Sequence, residues 1–160
     1  MIIRKSAQEI DGMARAGELV ADTIALMGEH IQPGITTAEL DRLAEEYIRE
    51  HGGVPTSKGY RGFPAATCIS PNSMVVHGIP GEHVVREGDL ISVDVGITLD
   101  GLVADSAYTF PVGHVDRDTQ RLLEVGKEAL TAGVDQARAD NRVGDISHAI
   151  QEVVEGAGFS

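Results

Sequence analysis

The chain has 160 residues, of which 42% are hydrophobic and 24% are charged, which suits one soluble domain with a sizeable core. Its net charge of −12 is opposite in sign to that of a non-specific nucleic-acid binder, and no apolar run is long enough to span a bilayer. The first residues lack the apolar segment of a secretory signal, and the single Cys68 excludes an intrachain disulfide, so we expect a cytoplasmic protein.

Two amphipathic helices are predicted at the start of the chain. Each begins with a capping box, at residues 6–9 and 36–39, and each ends at a stop signal, Pro33-Gly34 or Gly52-Gly53. Apolar residues recur at spacings of three and four along both helices. The predicted inner faces are Ile10, Met13, Gly17, Val20, Ile24, Met27 and Ile31 in the first helix, and Leu40, Leu43, Tyr47 and Ile48 in the second.

The middle of the chain changes character. Residues 54–81 are rich in Pro, Gly, Ser and Asn and predict loops with short strands. A β-hairpin is predicted over 90–110, because two runs rich in Val, Ile and Thr flank the turn signal Asp100-Gly101. Two more helices follow, over roughly 116–137 and from about Asp145. The inward residues of the last helix are predicted to be Ile146, Ile150, Val153 and Val154.

An internal repeat relates the two helix pairs. A shift of 106 residues places Leu40 on Ile146 and Gly52 on Gly158. The match favours a duplication, although any two amphipathic helices share part of this pattern. If the duplication holds, the chain contains one complete αβ half and only the helices of a second half.

The hairpin brings two acidic residues together. A two-residue turn places Asp94 opposite Ala107 and Asp105 opposite Gly96, so that all four share one face. The two carboxylates are then diagonal neighbours about 7–8 Å apart at the backbone. Carboxylates directed into one small space repel each other, and divalent cations relieve that cost. The alternative, which the apolar opposite face also permits, is that both aspartates face solvent on an edge hairpin.

Three further features are candidates for a site. His77 follows a predicted apolar strand at 74–76 and is either structural or a proton donor or acceptor over a reacting carbonyl. Cys68 is either a nucleophile or, as we favour because no Cys-His-Asn signature surrounds it, a buried or pocket-lining residue. Residues 57–68 mix aromatic and small side chains, a composition suited to the wall of an apolar pocket.

Several motifs together make the chain resemble the bacterial type I methionine aminopeptidases. They are Gly59-Tyr-Arg-Gly-Phe-Pro64, Cys68-Ile-Ser70, Asn72, Val76-His-Gly-Ile-Pro80, Glu87-Gly-Asp89, Val93-Asp-Val95, and Asp100-Gly101 through Asp105. The resemblance covers essentially the whole chain. It implies the α+β pita-bread fold, in which two αβ halves are related by a pseudo-twofold axis. Residues 1–160 would be the N-terminal part of one catalytic domain, with the second half largely missing.

The resemblance also implies a reaction and a set of site residues. The family removes the N-terminal methionine of nascent polypeptides, which would place a monomeric enzyme at or near the ribosome. Asp94 would bind one of two divalent ions (Co, Mn, Fe or Zn), and Asp105 would bridge both. His77 would be catalytic and contact the substrate near the scissile bond. The residues lining the methionine pocket would be Tyr60, Phe63 and Cys68.

The chain departs from the family pattern at its end. The remaining metal ligands of the family, a His and two Glu, and a second catalytic His would lie beyond Ser160. We therefore expect the isolated 160-residue chain to bind metal weakly and to be inactive. Two other functions remain open, a non-catalytic pita-bread binding module and a prolyl-specific peptidase. The joint presence of Asp94, Asp105 and His77 favours an enzyme, and the stretch 60–68 favours methionine.

Overall fold

A computed structural model describes residues 3–160 and divides the chain into two compact units. The first unit ends at His114 and the second begins at Val115. Within the described residues, none of the helices has the length and apolar character needed to cross a membrane.

The first unit begins with two helices, α1 (Ala7–His30) and α2 (Thr37–Glu50). Both predicted capping boxes are confirmed. The hydroxyls of Ser6 and Thr36 accept hydrogen bonds from the backbone N–H groups of Glu9 and Glu39, and the two carboxylates accept from the cap N–H groups in return. These bonds satisfy backbone donors that have no partner inside the helix, and therefore fix where each helix starts.

The same unit contains one antiparallel sheet. Its strands are β1 (Val54–Pro55), β2 (Cys68–Pro71), β3 (Leu90–Leu99) and β4 (Leu102–Pro111). A single 3-10 turn, Tyr60–Gly62, lies between β1 and β2. All three other strands pair with β3. Because β4 occupies one edge of β3 over its whole length, β1 and β2 share the other edge.

The predicted hairpin register is confirmed. Leu99 pairs with Leu102, and the pairing continues to Leu90 opposite Pro111 without a bulge. The backbone φ angles of Asp100 and Gly101 are +51° and +79°. Both central residues therefore have the positive φ of a type I′ turn, whose twist matches that of the flanking strands. A turn of this type leaves no freedom to shift the register.

The core lies between the two helices and one face of the sheet. It includes Met27 and Leu40 from the helices and Val93, Val95 and Ile97 from β3, all fully buried. The predicted inner face of α1 is wrong at its start, because Ile10 and Met13 are 56% and 39% exposed. The helix instead approaches β4 through glycines. A Cβ atom at Gly12 would overlap the side chain of Leu102, and one at Gly28 would overlap Phe110.

The second unit consists of α3 (Arg117–Gln136) and α4 (Val143–Gly156). Helix α4 starts two residues before the predicted Asp145, because the carboxylate of that residue accepts a hydrogen bond from the backbone N–H of Arg142 at 2.6 Å. The helices meet where Ile146 and Ile150 contact Gly133. The predicted inward residues of α4 are only partly covered: Ile146, Val153 and Val154 are half-buried, and Ile150 is 37% exposed.

The bounds of the helices agree with the internal repeat. Helix α3 ends 106 residues after α1, and α4 both begins and ends 106 residues after α2. The three buried residues of α3 are Val125, Ala129 and Gly133, which lie at the same offset from buried positions of α1.

Candidate metal centre

Asp94 and Asp105 lie on the face of the hairpin that points away from the core. Asp94 is opposite Ala107 and is half-buried, and Asp105 is opposite Gly96 and is exposed. A Cβ atom at Gly96 would lie 2.8 Å from Oδ2 of Asp105. The carboxylate of Asp105 therefore occupies space that any other residue at position 96 would fill, and it lies close enough to Asp94 for its charge to raise the pKa of that carboxyl.

The electrostatics of the pair favour a bound cation. Burial raises the pKa of the Asp94 carboxyl above its ordinary value, the charge of Asp105 raises it further, and His77 acts in the opposite direction. A divalent cation between two such carboxylates offsets both the burial and the repulsion. Carboxylate oxygens are ligands that divalent metals accept, so the residues present fit part of a metal site. Within residues 3–160, no group of three or more His, Cys, Asp or Glu side chains is arranged to hold a metal ion.

Cys68 lies directly opposite Asp94 on β2, a contact that the sequence did not predict. Its side chain is buried. Burial raises the pKa of the Cys68 thiol to about 11, and the charges of Asp94, Asp105 and then Asp41 act in the same direction. In the metal-free protein the thiol therefore stays protonated at neutral pH, which argues against a nucleophile. That Cys68 lines a pocket stays a prediction.

The loop that carries the two aromatic candidates starts and ends at the carboxylates. At its start, the backbone N–H of Thr56 donates to the carbonyl of Gly96 at 2.8 Å. At its end, Cys68 faces Asp94. Tyr60 within this loop is 65% exposed, and Phe63 is half-buried. Both ends of the predicted pocket wall are thus fixed next to the candidate metal ligands.

Asp41 on α2 anchors the returning end of this loop, a function that the sequence analysis missed. Its carboxylate accepts hydrogen bonds from the backbone N–H groups of Ala66 at 3.3 Å and Thr67 at 2.8 Å, and from the hydroxyl of Thr67 at 2.7 Å. Ala66 and Thr67 are both fully buried. The available signal was an acidic residue next to Leu40 on the half-buried side of an amphipathic helix.

His77 lies in a loop, and the apolar run before it is not a strand. Met74, Val75 and Val76 are exposed and make no strand pairing, so the interpretation of an apolar strand before His77 is wrong. The imidazole is exposed, and it is close enough to Asp94 to influence the pKa of that carboxyl. The fold therefore brings His77 and the two aspartates to one region of the first unit.

Hydrogen bonds of Asn72 join the two ends of the loop that contains His77. The side-chain amide of Asn72 donates to Asp89 at 2.9 Å, and its oxygen accepts from the backbone N–H of Leu90 at 3.0 Å. Burial acts to raise the pKa of the Asp89 carboxyl, but hydrogen bonds from Asn72 and from the N–H of Arg86 hold that pKa below its usual range. The end of β2 is thereby tied to the start of β3.

Comparison with known proteins assigns this arrangement to a family. Residues 11–160 match the family described as Metallopeptidase family M24. The chain belongs to this family. It is 46% identical over 160 residues to the methionine aminopeptidase of Clostridium perfringens, covering 100% of this chain and 64% of that relative. It is also similar to the crystal structure of methionine aminopeptidase from Thermotoga maritima, with a TM-score of 0.96 and 40% identity over 99% of this chain and 64% of that one.

The fold also occurs in a protein of much lower sequence identity. Prolidase from Pyrococcus furiosus gives a TM-score of 0.86 at 20% identity, covering 96% of this chain and 44% of that one, which shows a common fold alone. The predicted α+β pita-bread fold is confirmed for this M24 chain. The chain spans about 64% of the length of the curated relatives that it matches.

Proposed function

We propose that the complete protein is a methionine aminopeptidase that removes the initiator methionine of nascent polypeptides by two-metal hydrolysis. The observation that carries the proposal is the pair of carboxylates, with Asp105 packed over Gly96 beside the half-buried Asp94. The names of the similar proteins support the choice of substrate. Residues 1–160 would form the N-terminal part of one catalytic domain.

The two aspartates would hold two divalent ions, with Co, Mn, Fe and Zn as the candidates. Asp94 and Asp105 would both serve as carboxylate ligands of these ions. When bound, the ions supply Lewis-acid polarisation of the scissile carbonyl and an attacking water with a lowered pKa. The hairpin contributes preorganisation, because the type I′ turn fixes which residues share this face before any ligand arrives.

The other site residues would bind and orient the peptide. His77 would hydrogen-bond near the scissile bond, where an imidazole can stabilise developing charge. Tyr60, Phe63 and Cys68 would contact the methionine side chain. A protonated thiol is apolar and polarisable, which makes Cys68 compatible with a thioether.

The isolated 160-residue chain would bind metal weakly and would be inactive, because two carboxylates are too few ligands for a tight two-metal site. The complete protein would act as a cytoplasmic monomer on polypeptides at the ribosome, without binding membranes or nucleic acid directly. A non-catalytic pita-bread binding module is the second candidate.

The experiment uses the protein expressed from its complete gene, stripped of metal and then supplied with Mn, Fe, Co or Zn. Release of methionine from a Met-Ala-Ser peptide is expected, without cleavage of an X-Pro peptide. Asp105→Asn should reduce kcat by at least about 1000-fold. The matched control is Asp100→Asn in the same hairpin, because an Asn-Gly turn suits the type I′ geometry and should preserve activity. No methionine release with any of the four metals would favour the binding module.

A further inference from the structure

The backbone at His77 has a conformation that residues other than glycine rarely adopt. Its φ of +58° lies in the left-handed region. Such a conformation persists only where neighbouring groups hold it, and it is common at functional sites. The residues before it do not hold it by burial, because Val75 and Val76 are 86% and 60% exposed. The constraint therefore comes from the residue that follows, Gly78.

Both backbone polar groups of Gly78 are bound to β2. The carbonyl of Gly78 accepts from the backbone N–H of Ile69 at 2.9 Å, and its N–H donates to the hydroxyl of Ser70 at 3.1 Å. Gly78 is buried, and a Cβ atom there would overlap the carbonyl oxygen of Ile69 and the sulfur of Met74. The loop thus lies against β2 at the first position after His77.

Strand β2 in turn pairs with β3, the strand that carries Asp94. Cys68 pairs with Asp94 and Ser70 pairs with Ser92, so Ser70 and Asp94 lie on the same face of the sheet. Of the two hydrogen bonds to Gly78, the one from Ile69 involves only backbone atoms, and Ser70 supplies the side chain of the other. Ser70 is 3% exposed, so water has little access to replace its hydroxyl.

We propose that Ser70 is a positioning residue, which fastens Gly78 and thereby holds His77 at a fixed distance from Asp94 and Asp105. This inference rests on the proposed function, in which His77 acts on the substrate. Ser70 is 3% exposed, so it would act through Gly78 and not on the substrate itself. Its hydroxyl fixes the backbone that aims the imidazole, and small displacements of such a group reduce turnover more than binding.

The alternative is that the buried, hydrogen-bonded hydroxyl of Ser70 only stabilises the sheet. The two roles give different results in a double-mutant cycle with His77. A positioning residue loses its effect on turnover once the group that it positions is gone. A residue that only stabilises the fold has the same effect whether His77 is present or absent.

The kinetic test uses the metal-loaded protein expressed from its complete gene and the Met-Ala-Ser peptide. Ser70→Ala should lower kcat by about 10- to 100-fold, with KM changed by less than about twofold. In a His77→Ala background, Ser70→Ala should change kcat by less than about twofold. The same fold loss in both backgrounds, or an unchanged kcat in Ser70→Ala, overturns the proposal.

Two further variants serve as a control and as a replacement in this test. Thr23→Val removes another buried hydroxyl of the first unit, one that donates only to Leu19 of its own helix at 2.7 Å, and it should leave kcat within about twofold of wild type. If Ser70→Ala does not fold, Ser70→Cys replaces it. The thiol is close in size to the hydroxyl but is a weak acceptor, so the same kinetic pattern is expected.

Amide hydrogen exchange tests the link without any activity. In Ser70→Ala, exchange at Gly78 should accelerate by at least about tenfold, while exchange in α1 stays as in wild type. Unchanged exchange at Gly78 overturns the positioning role. If wild type releases no methionine but exchange at Gly78 accelerates, the proposed function fails and the structural link between Ser70 and Gly78 stands.

Discussion

The two units carry helix pairs of matching length but bury them very differently. In the first unit, six residues of α1 and four of α2 are buried, and both helices contribute to the core over the sheet. In the second unit, α3 has three buried residues, and α4, which the structure describes in full, has none. The comparison separates helix length, which local sequence determines, from burial, which in the first unit comes from packing against the sheet.

The largest expected difference concerns one matched pair of core positions. Leu40 on α2 is fully buried, and Ile146, at the same offset on α4, is half-buried. Leu40→Ala should lower the free energy of unfolding by about 2–5 kcal/mol, and Ile146→Ala by about 1 kcal/mol. Chemical denaturation of both variants measures the difference. Equal losses of stability for the two variants of the 160-residue chain would contradict the difference in burial. A larger loss for Ile146→Ala in the complete gene product would show that further sequence covers α4.

A second pair tests the side chain that anchors the pocket loop. Asp41→Ala leaves the buried donors of Ala66 and Thr67 without their acceptor and should cost about 1–3 kcal/mol. The matching position in the second unit is Ser147, whose hydroxyl donates only to Val143 of its own helix at 3.2 Å. Ser147→Ala should change stability by less than about 0.5 kcal/mol. Thermal unfolding compares the two, and a neutral Asp41→Ala would contradict the anchoring role.

The charge of Asp94 should lower the folding stability of the first unit at neutral pH when no metal is bound. The folded-state pKa of Asp94 lies above its reference value of 3.8, so protonated Asp94 favours folding below about pH 4, and this contribution is lost as the pH rises through the folded-state pKa. Asp94→Asn should therefore raise the Tm of the metal-free protein by a few degrees at pH 7 and by nothing near pH 3.

Bound metal should reverse the difference in Tm, so that wild type becomes more stable than Asp94→Asn. Added Mn²⁺ should raise the Tm of wild type but leave Asp94→Asn unchanged, because binding to the folded state alone stabilises it. Asp100→Asn, at a side chain that is 74% exposed, is the matched control and should behave as wild type in both conditions. A lower Tm for metal-free Asp94→Asn at pH 7 would show that the charge of this residue stabilises the fold.

The smallest effects concern the helix caps. Thr36 accepts from the N–H of Glu39, whereas Arg142, at the same offset before α4, offers no side-chain acceptor to the helix. Thr36→Ala should cost about 1 kcal/mol, and Arg142→Ser should gain about 0.5–1 kcal/mol, because serine would complete the capping box with Asp145. Urea midpoints are sensitive enough to measure both. A loss of stability in Arg142→Ser would mean that the arginine makes a contact worth more than a cap.

The features predicted correctly from sequence are those fixed by short-range signals. The turn Asp100-Gly101 fixed the whole register of β3 and β4, because a side-chain period of two leaves no alternative once the turn is set. The capping boxes located α1 and α2 for the same kind of reason. The relative placement of Asp94, Asp105 and Gly96 followed from that register alone.

The features that sequence reasoning missed depend on contacts between distant segments. The pairing of Cys68 with Asp94 and the bond from Gly78 to Ser70 require the loops between them to close, which no local pattern encodes. The predicted inner face of α1 is wrong at its start, at Ile10 and Met13, because the pattern counted large apolar residues. The helix contacts β4 at Gly12 and Gly28, where absence of a side chain creates the contact.

The attachment of the loop between Thr56 and Cys68 has an evolutionary consequence. Both ends are fixed to β3, at Gly96 and at Asp94, whereas the residues between them contribute no strand to the sheet. A change of sequence between the two fixed ends therefore need not displace either carboxylate, whereas Ala66 and Thr67, which are bound by Asp41, are constrained. Under the proposed function, Tyr60 and Phe63 would contact the substrate and Asp94 and Asp105 would bind the metal, so a change of specificity would not require a change of the metal ligands.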